Sequence, residues 1–161
     1  MLERTLYNYR ELGLLILRLT VALIFIIHGY TKIFGGEGMV GFIEIFSDGG
    51  ILLPSITAWI VVLVELAGGI CILMGFLTRE FALVLAIIML GSIWFIHYAN
   101  GFFVSADGYE YNLALSGACL CLMFSGGGIG SLDKLIFPRD KWTFVSDPSR
   151  VRLEPPDNVI F

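Results

Sequence analysis

Charge is what this chain has least of. Only 15% of its 161 residues are Asp, Glu, Lys or Arg, no basic cluster occurs, and the net charge is −4, so nothing in it could neutralise a nucleic-acid backbone and that class of partner is excluded. Cysteine is nearly missing: Cys71, Cys119 and Cys121 are an odd set with C-x-C rather than C-x-x-C spacing, which argues against a disulfide framework and against a thioredoxin-like centre. All three fall in apolar stretches and read as small buried packing residues. Proline is scarce outside the tail, where Pro138, Pro148, Pro155 and Pro156 stand. Histidine is limited to His28 and His97, and no further cluster of metal-type ligands accompanies them, so no metal site is expected.

Apolar residues make up 57% of the chain, and the mean hydropathy is +0.86. They are collected in long stretches: 12–31 with a single Arg, 51–77 with a single Glu, and 81–106 and 111–132 with no Asp, Glu, Lys or Arg at all. Each is long enough for the roughly 20 residues that cross a bilayer core. Backbone groups in lipid must be satisfied internally, and the two-residue alternation of a barrel is missing, so these stretches are expected to be helices. The expected fold is all-α: a four-transmembrane-helix antiparallel bundle, residues 12–132, between a cytoplasmic N-terminal segment 1–11 and a cytoplasmic Pro-rich tail 133–161. The apolar segment 39–46 of the first loop is too short to span and is expected as a short interfacial helix lying over the bundle mouth.

Orientation follows from the basic residues. Arg4, Arg10, Arg79, Lys134, Arg139, Lys141, Arg150 and Arg152 fall on one side, against Lys32 on the other. Both termini are therefore placed in the cytoplasm of a multi-pass membrane protein. The N-terminus shows no small-x-small cleavage site, so the first span is expected to persist as an anchor. The tail carries Trp142 and Phe144 among alternating charges and is too short for its own core; it either lies on headgroups or docks on another subunit.

Ionisable groups within spans are costly enough to be treated one by one. Arg18 lies roughly 9 Å along its helix from the cytoplasmic end, and Glu65 roughly 18 Å from the same end of the second helix. An Arg18–Glu65 pair is within side-chain reach, as a structural bridge that sets helix register or as a proton-handling site. Gly68 and Gly69 follow Glu65 by about one turn and permit close approach of another backbone. The run Gly126–Gly130 with Ser131 and Asp133 lacks a preceding strand and a following Lys-Ser/Thr; it is a helix stop and turn rather than a phosphate loop.

A second polar group collects at the outer ends of the helices. His28 and Lys32 share a helix face one turn apart; His97 and Asn100 end the third span, and Glu110 and Tyr111 open the fourth. Three readings fit. These residues anchor the bundle at the headgroup level; or they bind the head of an amphipathic redox ligand such as a quinone, whose protons His can handle near neutral pH; or the two imidazoles ligate haem or a metal, which the lack of further ligands disfavours.

The order of motifs carries one more signal. Arg18, His28-Gly-Tyr-Thr-Lys32-Ile-Phe-Gly35, Pro54, Glu65-Leu-Ala-Gly-Gly69, Leu73-Met-Gly-Phe-Leu-Thr-Arg79, His97-Tyr-Ala-Asn-Gly-Phe-Phe103, Gly108-Tyr-Glu-Tyr111 and Ser131-Leu-Asp133 together resemble the DoxX family of small bacterial membrane proteins, over about residues 12–134. The resemblance implies a four-helix inner-membrane protein linked to DoxD-type subunits of thiosulfate:quinone oxidoreductase and to membrane redox complexes. The expected function is a non-autonomous subunit of a membrane redox or electron-transport complex contributing an outer-side quinone site. The site would be formed by His28, Lys32, His97, Asn100, Glu110 and Tyr111, with the Arg18–Glu65 pair organising the bundle. The expected partners are the lipid bilayer and other membrane-protein subunits. The rival readings are a structural accessory subunit without chemistry of its own and a small solute or proton carrier, the latter weakened by the lack of an inverted repeat.

Overall fold

The computed structural model describes residues 9–36 and 38–136. The first eight residues and the tail from residue 137, with Trp142, Phe144 and the prolines, lie outside the described residues. Every regular element among the described residues is helical: α1 (Arg10–Phe34), α2 (Gly38–Asp48), α3 (Pro54–Met74), α4 (Thr78–Ser92), α5 (Glu110–Ser125) and α6 (Leu132–Ile136). A wide π-type turn, Ile93–His97, and a 3-10 turn, Tyr98–Asn100, extend α4. Three helices are long and apolar enough to cross a membrane, Arg10–Phe34, Pro54–Met74 and Thr78–Asn100. The charge-poor stretch 111–132 does not form a fourth helix of that length. Gly126 ends α5 at φ 78°, and Gly128 and Gly130 also take positive φ, so α5 has 16 residues, about 24 Å against a hydrocarbon core of about 30 Å.

The bundle is built as two helix pairs, α1 on α3 and α4 on α5. Small residues allow the first pair to approach closely. A Cβ added at Gly29 would lie 3.0 Å from the Cβ of Leu66, and one at Gly69 2.9 Å from Ile26, so both sites hold backbone against backbone. Gly68, one position earlier, serves the other neighbour and faces Leu85 and Phe81 of α4. The core between the pairs is made largely of Ala22, Phe25, Ala82, Leu85, Cys119 and Leu122. Large apolar side chains such as Leu23, Ile60, Ile87 and Leu113 point outward, exposed, as the lipid-facing surface of a membrane bundle requires. Of the cysteines, Cys119 is buried, Cys71 half-buried and Cys121 exposed. Two residues on a helix are about 200° apart, so Cys119 and Cys121 cannot both face the core, and Cys121 is not the buried packing residue expected.

The register set by Gly29 beside Leu66 and Ile26 beside Gly69 places Arg18 level with the end of α3, about 18 Å from Glu65. The expected Arg18–Glu65 pair is accordingly not formed. Arg18, 3% exposed, instead donates to the carbonyl oxygens of Gly127 and Gly130 and ties α1 to the glycine-rich turn after α5. The rest of that end is similarly clasped. The Arg79 guanidinium donates to the carbonyls of Met123 and Phe124 at 3.0 and 2.9 Å, occupying acceptors that the end of α5 leaves open. Asp133 accepts from the backbone N–H groups of Leu77 at 2.7 Å and Thr78 at 3.0 Å, capping α4 and holding Leu77 in the left-handed region at φ 47°, a conformation that a non-glycine residue adopts at a cost.

Replacing Asp133 with Ala is therefore expected to lower stability by about 1–2 kcal/mol, the scale of a lost helix cap. Leu77→Gly in the same background should recover part of that loss, because glycine takes positive φ without strain. Thermal unfolding in mild detergent reads both effects; an Asp133→Ala midpoint equal to wild type would remove the clasp from this account.

Candidate functional site

At the other end of the bundle the two helix pairs part and enclose a cavity of about 490 Å³. Its walls are mostly apolar, with Phe25 and Met89 deep and Phe42, Ile45 and Phe46 of α2 along one side. The segment expected as an interfacial helix thus forms α2, whose apolar face walls the cavity. Glycines bracket α2: Gly38 at φ 52° starts it and Gly50 at φ 68° follows it, conformations that side chains with a Cβ avoid.

Glu65 reaches this cavity from α3 at 1% exposure. Both its oxygens accept from the Lys32 ammonium of α1, at 2.8 and 2.6 Å. A carboxylate so far from water needs a counter-charge, and Lys32 supplies it because the close approach at Gly29 brings α1 within reach. The ammonium also lies 4.4 Å from the ring centroid of Phe42, a cation–π contact that joins α2 to the pair.

His28 stands one turn before Lys32 on α1. Its Nε2 is 3.4 Å from the Tyr111 hydroxyl of α5, at the long end of hydrogen-bond distances, with ring centroids 5.9 Å apart. His97 also lines the cavity. Its Nδ1 lies 2.8 Å from the Asp107 carbonyl oxygen; a carbonyl only accepts, so Nδ1 carries the proton of that bond and the neutral ring keeps Nε2 as an acceptor. The π-type turn matters here. The Tyr98 N–H donates to the Ile93 carbonyl five residues back; such a widened turn reduces the angle between successive residues, and Phe95, Ile96 and His97 all line the cavity.

Asn100 and Glu110 do not join them, because the loop between α4 and α5 consumes both. Glu110 Oε1 accepts from the Val104 N–H at 2.7 Å, and Asn100 Nδ2 donates to the Asp107 carbonyl at 3.3 Å. Their function is to shape residues 101–110. The cluster expected at one mouth divides: His28, Lys32, His97 and Tyr111 line the cavity, together with Glu65, while Asn100 and Glu110 build the adjoining loop.

Sequence reasoning missed one polar contact altogether. Asn112 of α5, 8% exposed, donates through Nδ2 to Ser92 Oγ of α4 at 2.9 Å, and both line the cavity. Neither is charged, so counting charges passes over them; an amide within an apolar helix was the available signal. Among the described residues no three His, Cys, Asp or Glu side chains gather as a metal-binding group.

The DoxX family model matches residues 13–98, a span that carries His28, Lys32, Glu65 and His97. Over 134 residues the chain is 35% identical to inner membrane protein YqjF of Escherichia coli K12, covering 82% of this chain and 96% of that one. It is 33% identical over 131 residues to CatD of Bacillus subtilis 168, whose name proposes an oxidoreductase, covering 81% and 92%. The chain belongs to the DoxX family. Inner membrane protein YphA of Escherichia coli K12 is a further DoxX-like relative, 34% identical over 130 residues, covering 78% and 91%. No solved structure matches the chain. With three helices long and apolar enough to span and relatives of this kind, the DoxX chain is a multi-pass membrane protein whose outward apolar side chains contact the lipid bilayer.

The ion pair generates the second prediction. Lys32→Met leaves the Glu65 carboxylate buried without a partner and should cost about 3–5 kcal/mol. Adding Glu65→Gln removes the stranded charge and should recover much of the loss. A double-mutant cycle on unfolding midpoints in detergent measures the coupling; strictly additive effects would show that the pair carries no such energy.

Proposed function

We propose that this DoxX protein holds a quinone-type ligand in the cavity between its helix pairs and works as a non-autonomous subunit of a redox complex in the bacterial inner membrane. In this reading α5 is a short fourth span, both termini are cytoplasmic, and the cavity opens toward the outer face. The observation that carries it is the cavity itself: about 490 Å³ of mostly apolar space, within the range of sites for small organic ligands, into which hydrogen-bonding side chains project from α1, α3, α4 and α5. The name of CatD adds support for a redox setting.

A bound quinone supplies two-electron, two-proton chemistry. The chain's own residues supply binding and proton handling. Lys32 donates toward an oxygen of the ring while Glu65 holds its ammonium in place. His28 and Tyr111, 3.4 Å apart, can pass a proton between an imidazole nitrogen and a phenol oxygen, and His97 presents Nε2 as an acceptor. Phe42, Ile45 and Phe46 of α2 cover the ring and keep water from it. A bundle of this size is read as holding one reactant in this cavity, and a partner subunit is assigned the second.

Protein purified from membranes in mild detergent is expected to carry extractable quinone, measured by chromatography, at up to about one per chain. His28→Ala should reduce it several-fold, and Glu110→Gln, outside the cavity, should leave it unchanged. Quinone content unaffected by both His28→Ala and His97→Ala would reject the site and favour a purely structural subunit.

A further inference from the structure

The cavity has two polar walls, each joining the helices of one pair. On one side the Lys32 ammonium binds Glu65, α1 to α3. On the other Asn112 binds Ser92, α5 to α4. Their hydrogen-bonding capacity differs in a useful way. Lys32 offers donors only, and its partner carboxylate offers acceptors. The Asn112–Ser92 contact uses one amide N–H and one hydroxyl lone pair, leaving the second amide N–H, the amide oxygen and the hydroxyl proton. No other protein group takes the amide oxygen among the described contacts, and Asn112 is more than nine-tenths buried, so this capacity faces the cavity rather than bulk water. A buried amide in an apolar helix is costly unless it has partners.

We infer that Asn112, oriented by Ser92, is a second anchor and the specificity-determining residue of the site: the ligand is a ring with oxygen functions at two opposed positions, one held on the Lys32–Glu65 wall and the other on Asn112. This rests on the quinone reading above and narrows it to rings of the 1,4-dioxygenated class. Because the Asn112–Ser92 pair retains both donors and an acceptor, it takes a carbonyl or a hydroxyl at that position, and the anchor serves the oxidised and the reduced ring alike. No bond is made or broken at this anchor; its role is positioning and selection.

The test uses full-length protein in lipid nanodiscs and two probes with the same decyl chain, a 1,4-hydroquinone and the phenol that lacks the second hydroxyl, with affinities from quenching of intrinsic tryptophan fluorescence. Wild type should bind the hydroquinone about tenfold more tightly, the scale of one buried hydrogen bond. Asn112→Leu, which keeps the branching of the side chain, should abolish that preference by weakening the hydroquinone alone, leaving the phenol within about twofold. Ser92→Ala, a smaller change that preserves packing, should lower the preference to about threefold by freeing the amide to rotate. Lys32→Met should weaken both probes together. Loss of both probes equally in Asn112→Leu and in Ser92→Ala, or an unchanged preference in both, overturns the anchor while leaving a quinone site in place. Failure of wild type to bind either probe overturns the quinone reading, and the anchor with it.

Discussion

The structure depends on one electrostatic constraint: a carboxylate placed almost out of solvent in an apolar bundle. Glu65, at 1% exposure, has no water to solvate it, and the cost of leaving such a group unpaired exceeds what a helix interface ordinarily contributes. Its solution is a lysine on the neighbouring helix. A lysine can reach only if the backbones are close, and they are close because Gly29 and Gly69 remove the side chains that would hold α1 and α3 apart. Glycine contacts, helix register and ion pair are thus a single arrangement. Disturbing any one disturbs the others, and the arrangement also brings His28 to the cavity, one turn before Lys32.

The two ends of the bundle meet opposite demands. At the Arg18 end, polar side chains are spent on the backbone: Arg18 on the Gly127 and Gly130 carbonyls, Arg79 on the last carbonyls of α5, Asp133 on the first amides of α4. The fit there leaves no space, since a Cβ at Gly75 would come within 2.5 Å of Ser131, and one at Gly127 within 2.7 Å of it. At the Lys32 end, Glu110 and Asn100 likewise serve the adjoining loop, whereas Lys32 with Glu65 and Asn112 with Ser92 are spent on one another along the cavity wall. Charge at the Arg18 end closes helix termini, while the charge and amide groups at the Lys32 end line a cavity. This division, rather than depth in the membrane, separates Arg18 from Glu65.

Much of this was legible in the sequence, and what was not has a physical cause. The apolar runs disclosed the helices because lipid permits little else, and the isolated ionisable residues marked both polar ends. The partner of Glu65 was misjudged because register between helices is a property of their contact: Gly29 against Leu66 moves Arg18 away from Glu65, and no spacing within either helix reveals it. The charge-poor run 111–132 overstates α5, whose end is marked instead by the glycine run from Gly126 that reads as a helix stop. Glu110 and Asn100 looked like site residues because residue type alone does not say whether a polar group faces a cavity or its own loop. Asn112 escaped notice for the converse reason, being uncharged in an apolar helix.

The cavity itself follows from how the two helix pairs are joined. Arg18 binds the turn after α5, and Asp133, beyond that turn, binds the start of α4, so the pairs are fastened at that end by hydrogen bonds of fixed length. Midway the fit is made by small side chains, Ala22, Ala82 and Ala86, all without exposure, which keep the helices near one another. Beyond them the facing residues are Phe25, Met89 and Leu115, large enough to hold the helices apart where the cavity begins. A molecule that binds in the cavity of the folded state alone would shift the folding equilibrium toward that state. The way the pairs are clasped at the Arg18 end thus leaves Lys32, Glu65, Ser92 and Asn112 lining the space between them at the other.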